Sequence, residues 1–249
     1  MVTATKPEDG WKCWAANLGG CAGGISGEHL ISKGLFSGKT VQVSGHIWKS
    51  EKPKSIGINS LTANILCRTH NSALSDVDAA GIGVFRALRQ FEEIHSGRQS
   101  PEESKMKHRV FGPLLERWCL KHMINLFVAG DRLGYWYDGS EASAPPPDII
   151  EAAFGLKTLE RPRGLYNFAG LTLGEYKAIA DQVGFTAINL ESKFAGCIFE
   201  FQALTFLIWL LDRDVSWTAV RPFYHHMGGH FDGPHGRASL IVEWPAKPA

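Results

Sequence analysis

The chain has 249 residues, 44% of them hydrophobic and 11% aromatic, which is enough to build a core and excludes general disorder. Lys and Arg number 26 against 25 Asp and Glu, so the formal charge of +1 lacks the basic excess that marks many nucleic-acid binders. The longest apolar run, 204–211, is too short to span a bilayer, and residues 1–10 are polar with no apolar signal segment. These features lead to the expectation of a cytoplasmic chain with no membrane partner.

Five cysteines, an odd number spread along the chain, argue against a disulfide scaffold and favour thiols that serve as ligands. Cys13 and Cys21 flank a run of small residues whose glycines permit tight backbone around a thiolate. Between 41 and 48 the alternation of apolar and polar residues predicts a half-buried strand with His46 on its polar face, and 56–58 a short partner. Lys33, Lys39, Lys49, Lys52 and Lys54 face only Glu51 across this region, a strip suited to phosphates or simply a solvated hairpin.

Residues 66–78 combine Cys67-x-x-His70 with Asn71 and Asp78. Ser75 is the expected N-cap of a helix over 76–94, with Asp76 and Asp78 in its first turn and Val84, Phe85, Leu88 and Phe91 on one face. A second, basic helix is expected from Ser100-Pro101 onward, carrying Lys105, Lys107, Arg109, Arg117 and Lys121 and kinked at Gly112-Pro113. His95, His108 and His122 read as surface positions on these helices, and Cys119 and Cys197 as core thiols. A short helix over 148–154 is followed by strands over 164–173, 186–190, 197–211 and 239–244. His225, His226, His230 and His235, with Asp232, Arg221 and Arg237 nearby, form either a metal or phosphate site or a solvated loop.

Cys13 and Cys21 together with Cys67 and His70 supply four ligands of the kind zinc prefers, closed at four and hence structural. Beside them stands Ser26-x-Glu28-His29-Leu30-Ile31. The order of these motifs resembles zinc-stapled HNH-type (ββα-metal) nucleases over about residues 11–80. His70 stands where those proteins usually carry a fourth cysteine, and Asp78 where their last histidine or acid projects from the helix.

The resemblance implies an endonuclease hydrolysing phosphodiester bonds, with His29 as general base, Asn71 orienting it, and Glu28 and Asp78 holding a catalytic magnesium or manganese. It implies nucleic acid as partner, DNA ahead of RNA, contacted through Lys33, Lys49, Lys52, Lys54 and the basic helix. The expected architecture is α+β: a zinc-bound ββα-metal-like module with its following helix over 1–95, then helices and an antiparallel strand-rich region over 96–249. The other reading is a non-catalytic nucleic-acid- or protein-binding regulator that uses the zinc site as scaffold.

Overall fold

Two short strands far apart in sequence organise the N-terminal part of the chain. The computed structural model describes residues 13–45, 50–98, 105–130, 134–141, 144–168, 183–201, 204–214, 222–225, 228–233 and 236–245. Strand β1 (Ile25–His29) leads into a separate two-stranded ribbon, β2 (Thr40–Gly45) and β3 (Ser50–Gly57), before β4 (Thr62–Cys67) returns antiparallel to β1. The register sets Ile25 opposite Cys67 and His29 opposite Thr62. Helices α1 (Arg68–Ser72) and α2 (Ser75–His95) follow at once, so the order strand, strand, helix is present with the ribbon inserted between the strands. His46 and Lys49 lie outside the described residues.

The apolar period expected for α2 is the face it buries: Val77, Val84, Phe85, Leu88, Phe91 and Ile94 are all removed from solvent. Its start differs from expectation. Ser75 is the first helical residue and its hydroxyl donates to the Ser72 carbonyl, so it closes the end of α1 instead of capping α2.

The expected basic helix is half strand. Lys105, Lys107 and Arg109 lie on β5 (Lys105–Phe111), and the helix α3 begins only at the glycine (Gly112–Ala129). Pro113 sits in the first turn, where a missing N–H leaves no hydrogen bond unmade, so Gly112-Pro113 starts the helix and does not kink it. From Leu115 to Phe127 nearly every α3 residue is buried. This helix is the centre of the molecule.

After α3 come β6 (Tyr135–Trp136), α4 (Pro147–Ala153), β7 (Gly164–Phe168), β8 (Val183–Leu190), β9 (Lys193–Phe201), β10 (Leu204–Trp209), β11 (Pro222–Tyr224), β12 (Gly228–Gly233) and β13 (Gly236–Glu243). The stretch 197–211, expected as one strand, folds back on itself as β9 and β10, with Phe201 opposite Leu204. A sheet runs β11-β7-β10-β9-β6, with β8 also paired to β9. Its pairings are antiparallel except β6 with β9. A second sheet orders β12-β13-β5, in which β5 lies parallel to β13.

The architecture is mixed α and β with many antiparallel strands. Packing draws both halves onto α3. Trp118 meets Phe199 of β9 at 6.0 Å, and Phe127 stacks on Phe194 at 4.3 Å. On its other side α3 packs against α2, where Gly81 permits close approach: a Cβ there would stand 2.3 Å from the Trp118 ring. The apolar core is continuous from Cys13 to Val242, across the division expected at 95/96. Among the described residues, no helix is long and apolar enough to cross a membrane.

Candidate metal centre and adjoining polar site

Cys67 ends β4 and caps α1, and its Sγ accepts from the His70 backbone N–H at 3.4 Å. One turn of helix then brings the His70 ring back to the same sulfur. Nδ1 of His70 stands 3.3 Å from Cys67 Sγ, 3.4 Å from Cys13 Sγ and 3.5 Å from Cys21 Sγ, and all four ligand atoms lie within 4.8 Å of one another. Bond lengths of about 2.3 Å to sulfur and about 2.0 Å to nitrogen in a tetrahedron give a sulfur-to-nitrogen edge of about 3.5 Å. The cluster therefore has the size and donor chemistry to hold a metal such as zinc.

The electrostatics agree. Burial and the neighbouring Cys13 push the Cys21 thiol up to about 12. Burial also raises Cys13. Burial acts upward on Cys67 too, but backbone donors from His70 and Ala22 outweigh it and bring that thiol down. Burial lowers His70, so its ring is neutral and free to ligate, and a hydrogen bond to the Gly19 backbone steadies it. Cys13 and Cys21 thus resist ionisation until a cation joins them, whereas Cys67 gives up its proton more readily. Phe154 covers the His70 ring edge-on at 5.4 Å.

Beyond the cluster, β1 presents Glu28 and His29 to opposite sides, as successive strand residues must. Glu28 points into the protein and is buried. Its Oε1 meets Lys121 Nζ of α3 at 2.7 Å and accepts from Asn125 Nδ2 at 3.3 Å. Burial pushes the Glu28 carboxyl up, against the pull of Lys121. Asp78, on the first turn of α2, meets the same Lys121 Nζ at 2.7 Å through Oδ2. Its Oδ1 accepts from Ser32 Oγ at 2.7 Å.

Ser32 is the hub of a buried network. Trp118 Nε1 donates to its Oγ at 3.0 Å, and His122 Nε2 lies 2.8 Å away. His122 Nδ1 faces the Leu30 carbonyl at 2.9 Å, and a carbonyl can only accept, so Nδ1 carries the proton. Burial first, then the adjacent Lys121, drives His122 down to about 3, leaving it neutral. The single Ser32 proton thus serves either Asp78 or His122.

Of the expected site residues, Glu28 and Asp78 do come together, but around an ammonium. The residues as arranged do not fit a magnesium or manganese ion between them, because Lys121 already takes an oxygen of each. Asn71 Nδ2 donates to Ser26 Oγ at 3.1 Å, so it braces the start of β1 and not His29. His29 is held below the ordinary histidine value by burial, with Lys33 and Lys121 adding to the effect and Asp78 opposing it. Its Nε2 is shut from solvent with no hydrogen-bond partner. Lys33, Lys52 and Lys54 are exposed.

The expected surface histidine His122 is fully buried, and Lys121 belongs to the same interior network. Arg117 Nε donates to the Ala153 carbonyl. No basic helix face is therefore formed. Cys119 and Cys197 are buried thiols, as expected, both raised by burial.

In the C-terminal cluster, His225 lies flat between Tyr224 at 3.8 Å and Trp244 at 3.7 Å, with Nε2 3.3 Å from Glu116 Oε2. It packs as part of the structure. His230 and Asp232 lie on a strand, β12, where a loop was the alternative to a site. Arg221, His226 and His235 lie outside the described residues.

The sequence placed Lys121 and His122 at the surface and assigned no site role to Ser32, Trp118 or Asn125. A signal was available in α3. Apolar residues at 118–120, 123–124 and 126–128 leave that helix no polar face, so Lys121, His122 and Asn125 had nowhere to go but inward. No protein-family model, curated protein or solved structure matches the chain.

Proposed function

We propose that this chain is an HNH-like endonuclease that hydrolyses phosphodiester bonds of nucleic acid, DNA ahead of RNA, with His29 as general base and a structural zinc on Cys13, Cys21, Cys67 and His70. The observation that carries the reading is His29 itself. Its imidazole is neutral and one ring nitrogen is buried without a partner, at the end of a strand whose pairing partner ends in a metal ligand. A buried ring nitrogen with no protein partner keeps its lone pair free to accept a proton.

In this mechanism His29 takes a proton from water. The hydroxide attacks phosphorus, the bond to the leaving oxygen breaks, and that oxygen takes a proton from solvent. Lys33, close enough to bias the charge of His29, would attract the phosphate, and Lys52 and Lys54 on the ribbon would track its neighbours. A zinc ion held by Cys13, Cys21, Cys67 and His70 would tie the chain before β1 to the end of β4 and, with four protein ligands, would take no part in the hydrolysis.

The test is cleavage of supercoiled DNA and of single-stranded RNA by the purified chain, with and without added divalent ions. Wild type is expected to cut, and His29→Ala to lose cutting while its melting temperature holds. A wild type that cuts neither substrate under any of these conditions removes the proposal. The second reading, a non-catalytic binder on a zinc scaffold, draws on Asn71 bonding to Ser26 and not to His29. Salt-sensitive binding without cleavage would support it.

A further inference from the structure

We propose that Lys121 is the resident cation of this site: its ammonium occupies the place between Glu28 and Asp78 that a divalent metal would take, and it keeps such a metal out. Three observations converge on this. Nζ is 2.7 Å from an oxygen of each carboxylate, and the lysine is buried on the central helix, where its charge cannot be exchanged with solvent cations.

The size of the cradle fits an ammonium and not a small metal ion. Magnesium draws its oxygens to about 2.1 Å, well inside the separation seen here. The remaining donors are arranged for carboxylates as well: Ser32 Oγ reaches Asp78 and Asn125 Nδ2 reaches Glu28, so both acids are hydrogen-bonded without any metal.

Two consequences follow. Glu28, Asp78 and Lys121 bring together β1, α2 and α3, so the site is complete only when the helix outside the N-terminal module is docked. Resting on the nuclease reading, hydrolysis at His29 would proceed without a divalent ion at these carboxylates.

The experiment reads binding and not cleavage, so it stands apart from the fate of that reading. Zinc-loaded wild type, Asp78→Asn, Lys121→Ala and Lys121→Ala with Asp78→Asn are titrated with manganese. The electron paramagnetic resonance signal of the free ion reports uptake. Manganese is a poor match for the thiolate site, which keeps its zinc. Wild type should take up no more manganese than Asp78→Asn.

Lys121→Ala should bind one further ion per chain, at least about tenfold tighter than any wild-type site, and the double variant should lose it. Manganese uptake by wild type that Asp78→Asn abolishes overturns the proposal. So does a folded Lys121→Ala chain that binds none, since the ammonium would then not be what excludes the metal. If circular dichroism shows Lys121→Ala to be unfolded, the comparison of wild type with Asp78→Asn decides alone.

Discussion

Trp14 Nε1 donates to Asn125 Oδ1 at 3.0 Å, linking the residue beside a metal ligand to the central helix 111 residues away. The amide of Asn125 passes the constraint on, with Nδ2 reaching Glu28 Oε1 at 3.3 Å and the His29 carbonyl at 3.2 Å. The metal centre and the polar site are therefore one mechanical unit. Trp14→Phe removes the donor together with the pyrrole part of the indole, leaving a buried amide oxygen unsatisfied beside a small void. It should cost about 1–3 kcal/mol. Urea unfolding of the zinc-loaded chain checks this, and an unchanged midpoint would show the link to be idle.

Metal removal should be felt well beyond its ligands. Cys13 and Cys21 precede β1, and Cys67 ends the strand that pairs with it. Stripping the ion with a strong chelator should lower the melting temperature by more than about 10 °C, given the folding energy that structural zinc sites carry. Mass spectrometry under native conditions should count one zinc per chain before treatment. His70→Ala should start with less metal and melt lower. Loading should also release protons, since burial holds Cys13 and Cys21 above the ordinary thiol value.

Acid should destabilise the fold through His122. In the folded chain this group titrates near about 3, whereas an exposed histidine does so near about 6.5. Between these values the unfolded chain binds a proton that the folded chain refuses. Stability is complete above the upper value and is lost as pH falls, by about 1.4 kcal/mol per unit at most. Glu28, raised by burial, works in the opposite sense, but equally in wild type and variant. His122→Gln should therefore show a shallower loss than wild type between pH 6.5 and about 4.5. Parallel slopes in urea titrations across that range would contradict the assignment.

Gly81→Ala tests the α2–α3 contact. The added carbon would sit 2.3 Å from the Trp118 ring, and that ring cannot retreat without stretching its bond to Ser32. A gain in helix propensity of about 1 kcal/mol works the other way. The clash should dominate, with a net loss of about 1–3 kcal/mol. Because Ser32 also holds Asp78, the same substitution should lower cleavage more than a substitution of equal stability cost placed away from this network.

Local chemistry was legible from the residues alone. Cys67-x-x-His70 could be paired from sequence because a strand end and one helical turn bring its atoms together whatever the rest of the chain does. The same holds for α2, whose apolar period is the face it buries. The strand pair β1 and β4 came into view through the resemblance, not through propensity. Gly112-Pro113 misled because proline breaks a helix interior and opens a helix start equally well, and only the parallel pairing of β5 with β13 selects the second.

What the tertiary structure alone decided is the character of the polar site. Asp78 and Lys121 are 43 residues apart, on two helices whose contact depends on a glycine facing a tryptophan. Local sequence cannot say which buried cation a carboxylate will meet, because that partner is set by packing. Nor could it place Lys121 and His122 inside, since charged residues default to the surface. In α3 the apolar residues claim every side, and the cost of burying charge is met by Glu28 and Asp78, which sequence order keeps far away.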